Sequence, residues 1–87
     1  MRLDKWLKVS RVIKRRTVAN EVCDQGRVML NGRPAKAGTE VRPGDRLEIR
    51  FGTKTVTITI LAVPTGPVAV KDAATLYQLE GDVAALE

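Results

Sequence analysis

Seven cations crowd the first sixteen residues. Arg2, Lys5, Lys8, Arg11, Lys14, Arg15 and Arg16 stand there against one acid, Asp4. Guanidinium and ammonium groups at this density suit the phosphates of a polyanion, and a guanidinium can donate two parallel hydrogen bonds to one phosphate. Arg2, Lys5 and Lys8 recur every third residue, which on a helix sets them along one flank. Arg27, Arg33 and Lys36 follow further along the chain. Asp4 is the exception, because a carboxylate among phosphate-seeking cations weakens their attraction unless it has another task. It either pairs with Arg11, Arg15 or Arg16 and fixes that side chain in its binding rotamer, or it is a solvated surface acid or an ordinary first-turn acid favourable to the helix dipole.

The same composition excludes most catalysis. The 87 residues include no histidine and one cysteine, Cys23. Ser-His-Asp and Cys-His chemistry and most zinc sites are thereby removed. Neither glycine-rich phosphate loop occurs, and the acids do not cluster as a metal site requires. Cys23, beside Val22 and one turn after Ala19, reads as a small core residue rather than a nucleophile. The expectation is a binding protein, not an enzyme, with no cofactor and no metal. A single cysteine forms no intrachain disulfide, which fits a reducing compartment. No apolar leader and no membrane-length apolar run is visible, so the reading is cytoplasmic with no membrane partner.

Charge and aromatic content narrow the partner. Residues 1–54 hold fourteen of the fifteen Lys and Arg and six of the ten acids, a surplus of eight, whereas residues 55–87 carry a deficit of three. A chain polarised in this way points to a polyanionic partner, the plainer reading being a solvated basic face that aids solubility. Trp6, Phe51 and Tyr77 are the only aromatic residues. Modules that read single strands need a platform of exposed rings, which three cannot furnish. Phosphate, sugar and helical shape are the features such a surface can grip.

The elements that must position these groups are short. Leu3, Trp6 and Leu7 predict a helix over 2–9, and residues 10–14 a connector with Val12 and Ile13 turned inward. Val18, Ala19, Val22 and Cys23 give one apolar face to a second helix, from residue 15 or 16 to 25, with Gly26 ending it. Strands are expected over 27–30, 38–41, 46–51 and 55–60, with a hairpin at Asn31-Gly32 and a turn at 43–45. One or two helical turns over 71–76 and a strand over 77–79 follow, then a frayed tail over 81–87. The Asn31-Gly32 hairpin is expected to bring Arg33 and Lys36 to the edge occupied by the helical cations. The architecture is α+β: two short N-terminal helices packed on a small, mostly antiparallel twisted sheet of four or five strands, one domain over residues 1–80.

The pattern Arg2-Leu3-Asp4-x-x-Leu7, then Arg16-Thr17-x-Ala19, then Gly26-x-Val28-x-x-Asn31-Gly32 resembles the S4 RNA-binding domain over residues 1–54. Met29 and Leu30 stand where that family often has a β-branched residue. The resemblance implies the S4-like (alpha-L) fold and RNA contacts from Arg2, Lys5, Lys8, Arg11, Arg15 and Arg16. Residues 1–22, with Asp24-Gln25-Gly26-Arg27 and Pro43-Gly44-Asp45-Arg46-Leu47, are most similar to the stand-alone S4 proteins of bacterial ribosome-associated quality control. That likeness implies binding to a large ribosomal subunit obstructed by peptidyl-tRNA. The contacts would be with large-subunit rRNA and the tRNA, in support of alanine tailing by an RqcH-type quality-control factor. A monomer is expected off the ribosome. The alternative is an S4-type regulator acting on mRNA or tRNA away from the ribosome. The segment Val41 to Phe51 also resembles a strand pair of ubiquitin-like sulfur carriers, but those need a terminal Gly-Gly and this sequence ends Ala-Ala-Leu-Glu.

Overall fold

The computed structural model describes residues 1–66 and 68–80. Two helices lead, α1 (Leu3–Val9) and α2 (Arg16–Asp24). The strands are β1 (Val28–Leu30), β2 (Arg33–Pro34), β3 (Arg46–Phe51), β4 (Lys54–Ile60) and β5 (Tyr77–Leu79), with a 3-10 helix (Val70–Leu76) before β5. All strand pairs are antiparallel, in the order β2-β1-β3-β4-β5. The α+β architecture expected from the sequence is present, with five strands. Among the described residues no helix is long and apolar enough to cross a membrane.

Helices of seven and nine residues do not persist alone in water. Their apolar faces hold them. Leu3, Trp6 and Leu7 of α1 and Ala19, Val22 and Cys23 of α2 are buried in one core with Val12 and Ile13 of the connector. Trp6 is fully buried, donates its indole N–H to the carbonyl of Ala62 at 3.0 Å and meets Tyr77 edge-on. One side chain thus ties α1 to the far side of the sheet. Helix α2 stops where Gly26 takes φ +75°, with Gly26 N–H bonded to Cys23 and Arg27 N–H to Val22. This pair of bonds satisfies the last carbonyls of the helix. After α1 the same left-handed position falls to Arg11, at φ +60°.

The sheet follows its alternation. Leu47 and Ile49 on β3 face the core opposite Ile58 and Val56 on β4, while Arg46 and Arg50 point outward. Asn31 (φ +52°) and Gly32 (φ +82°) form the tight hairpin the sequence signalled. The Asn31 amide then clips that hairpin to the turn before β3, donating to Asp45 at 3.0 Å and accepting from Arg46 N–H at 2.9 Å.

One strand is displaced from its expected place. The partner of β1 after the hairpin is Arg33–Pro34, and residues 38–41 form no strand. Their backbone serves α1 instead. Thr39 and Ala37 carbonyls accept from the N–H groups of Leu3 and Asp4, Val41 N–H donates to Met1, and Arg2 and Glu40 make an isolated bridge. The expected frayed tail, 81–87, lies outside the described residues.

Candidate nucleic-acid interface

Asp4 is the centre of the site. Its side chain is 2% exposed, next to the core residue Leu3 in the chain and one turn before Leu7. A carboxylate held there must be compensated. Arg2 reaches it with Nε at 3.2 Å and Nη2 at 3.4 Å, Arg16 with Nε at 3.5 Å, and Asn20 with Nδ2 at 3.3 Å. The Lys5 N–H adds a fourth donor group at 2.8 Å. Burial alone raises the pKa of Asp4. The Asn20 and Lys5 hydrogen bonds and the charges of Arg16 and Arg2 outweigh that cost and hold the carboxyl below its ordinary value. It is therefore an anion at neutral pH.

The geometry decides between the two readings of Asp4. It does sit in the first turn of α1, yet it also grips two guanidinium groups from different elements. Of the three partners considered from sequence, Arg16 pairs with it; Arg2 is a partner that reading missed. Arg2 precedes the helix in an extended conformation (φ −71°, ψ 148°), so its side chain folds back across the first turn. No ion pair between Asp4 and Arg11 is present; Arg11 is exposed beyond the end of α1.

The two arginines keep their outer ends in solvent, with side chains 54% and 47% exposed. Their Nε atoms bond Asp4, as does Nη2 of Arg2, which leaves the Nη groups of Arg16 and Nη1 of Arg2 without a hydrogen bond to that carboxylate. Cavities open on both sides of this pair. One, of about 450 Å³, is lined by Arg2, Asp4, Arg16, Thr17, Asn20 and Glu21. The other, of about 580 Å³, is lined by Met1, Arg2, Lys5, Arg16 and the Val63–Thr65 linker. Together they form a groove with the guanidinium pair at its middle and Lys5 on one wall.

Helix termini contribute unequally. The first amides of α1 are consumed by Ala37, Thr39 and Asp4, so they offer nothing to a ligand. Helix α2 opens with no side-chain cap and no acid in its first turn, beside Arg15 and Arg16. Lys8, Arg11, Lys14 and Arg15 are exposed along α1 and the connector, outside both cavities. Arg27, Arg33 and Lys36 are exposed too and line neither cavity. Asn20, Glu21 and the Val63–Thr65 linker belong to the groove and were not singled out in the sequence. Asn20 had a legible signal, because it follows Arg16 by one helical turn.

Known proteins carry the same frame. Residues 1–47, more than half of the chain, match the S4 domain family. The chain belongs to the S4 domain family. All the groove residues named above except the Val63–Thr65 linker lie inside the matched S4 segment. A protein of Halalkalibacterium halodurans named RQC P-site tRNA stabilizing factor is 59% identical over 80 residues, covering 92% of this chain and 90% of its own. A Bacillus subtilis protein of the same name is 63% identical over 60 residues, covering 69% of this chain and 70% of its own. Among solved structures, Vibrio cholerae heat shock protein 15 superposes with a TM-score of 0.81 at 32% identity, over 92% of this chain and 81% of that one.

Proposed function

We propose that this S4 domain, acting as one unit over residues 1–80, is a non-catalytic RNA-binding factor of ribosome-associated quality control. It binds large ribosomal subunits obstructed by peptidyl-tRNA, touches large-subunit rRNA and the tRNA, and supports alanine tailing of the stalled chain by an RqcH-type factor. It works in the cytoplasm and is a monomer off the ribosome. The observation that carries the reading is the Asp4 carboxylate, buried and ionised, with Arg2 and Arg16 fixed on it at one surface. The relatives named RQC P-site tRNA stabilizing factor support the choice of ribosome and tRNA.

The groove grips RNA through charge held in place. Asp4 takes the inner edge of each guanidinium, so the outward Nη groups meet phosphate with little side-chain entropy left to lose. Lys5 adds a point charge on the groove wall. Lys8, Arg11, Lys14 and Arg15 extend the track along α1 and the connector, and Arg27, Arg33 and Lys36 flank it. Asp4 is a positioning residue here, acting through the arginines.

The test is recovery of the tagged protein from cells followed by analysis of its bound RNA. The expected yield is large-subunit rRNA with tRNA and without small-subunit rRNA, lowered together by Arg2→Ala and Arg16→Ala. Recovery of mRNA or tRNA without large-subunit rRNA would overturn the ribosomal assignment in favour of a regulator acting elsewhere.

A further inference from the structure

The cavity beside α2 is a poor fit to phosphate alone. Its wall carries Glu21, whose carboxylate repels a phosphate and makes no ion pair among the described residues. Arg16 and Asn20 are one helical turn apart, as are Thr17 and Glu21, so all four line one side of α2. Asn20 gives its Nδ2 to Asp4, which leaves its Oδ1 as an acceptor beside the cavity. The cavity therefore offers two guanidinium groups, one hydroxyl and two sets of acceptors. That mixture matches a nucleobase better than a phosphate. Unstacked bases are held in other proteins by guanidinium planes and read by hydrogen bonds to their Watson–Crick edge.

We infer that the cavity lined by Arg2, Arg16, Thr17, Asn20 and Glu21 receives one unpaired base of the bound RNA, and that Glu21 selects guanine. A carboxylate presents two acceptors side by side, and guanine presents two donors side by side, N1–H and the N2 amino group. Adenine, cytosine and uracil do not offer that pair. The volume, about 450 Å³, lies within the range of small-ligand sites. The assignment rests on the groove being an RNA surface, and it adds which chemical group of the RNA enters this end of it. Phosphates occupy the other end, where Lys5 lines the wall and no acid does.

The test uses the full-length protein and RNA hairpins of one stem whose loop carries guanine, adenine, cytosine, uracil or an abasic residue at a single position. One good bidentate pair is worth roughly tenfold discrimination or more, so the guanine hairpin should bind about tenfold tighter than the others. Glu21→Gln, which keeps the size and replaces one acceptor with a donor, should bring the guanine hairpin to the level of the abasic one. Equal affinity of the wild-type protein for all five hairpins overturns the assignment and leaves the phosphate-binding groove standing. Glu21→Ala that tightens all five alike also overturns it, because Glu21 would then be an acid that only repels phosphate. No binding to any hairpin, with no effect of Arg16→Ala, removes the groove and the assignment together.

Discussion

The helical layer and the β3–β4 hairpin treat buried charge in opposite ways. On the hairpin each inward residue is apolar and the charged residues lie on the other face, so the strands need no compensation beyond their ladder. On α1 the apolar stripe is interrupted by a carboxylate, and two arginines, an asparagine and a backbone amide are arranged around it. The helical layer holds two cations on a buried carboxylate, and a local conflict of this kind is where the proposed RNA surface is sought.

Removing core from the hairpin should give the largest effect on folding and none on the groove. Ile49→Ala deletes a fully buried side chain and should cost about 2–5 kcal/mol in urea unfolding. The folded fraction should bind RNA as wild type does. Loss of affinity in folded molecules would break the division between scaffold and site. The complementary change is in the helical layer. Five neutralised phosphates give a slope of log K against log salt of roughly −3.5 to −4.5, and Arg2→Ala with Arg16→Ala should flatten it by about two units. A wild-type slope in the double variant would remove both arginines from the interface.

The site has its own pH signature. Asp4 titrates below its ordinary value of 3.8 in the folded protein, so its contribution to stability is complete above that pH and is lost as pH falls through the folded value. Asp4→Asn should lower stability at neutral pH and reduce the acid-dependent loss below pH 3.8, as followed by thermal unfolding at a series of pH values. An unchanged acid limb would mean that the carboxylate is not held by its partners.

A smaller effect concerns Cys23, the buried thiol of this layer. Burial, with the charges of Asp4 and Asp24 behind it, pushes the Cys23 thiol up to about 12. The folded protein should therefore react with a thiol reagent at neutral pH only through opening of the helical layer. Rapid labelling of the folded state would show that α2 is not seated as described.

Much of the scaffold was legible from the residues. Strict alternation over 46–51 and 55–60 and the Asn31-Gly32 pair left little freedom, and Gly26 marked where α2 ends. The strand at 33–34 was not legible, because two residues hold no alternation and Pro34 argues against a strand except at an edge. Residues 38–41 read as extended for sound local reasons, yet their hydrogen bonds go to α1, a tertiary choice. In the site, the cationic cluster and the oddity of Asp4 were visible. The pairing of Asp4 with Arg2 was not, because residues two apart on a helix do not face each other and only the extended backbone of Arg2 brings them together. The lining by Val63–Thr65 was hidden for a similar reason, since Pro64 reads as a chain break and its place follows from the Trp6 bond to Ala62.

The most direct test of the helical layer as an organised surface is a double-mutant cycle on affinity for obstructed large subunits. Asp4→Ala is measured in the wild-type protein and again in the Arg2→Ala, Arg16→Ala background. If the carboxylate acts by aiming the arginines, its loss weakens binding in the first background and has little effect in the second. Tighter binding by the same factor in both would contradict the account, since Asp4 would then be only a negative charge in the way of phosphate.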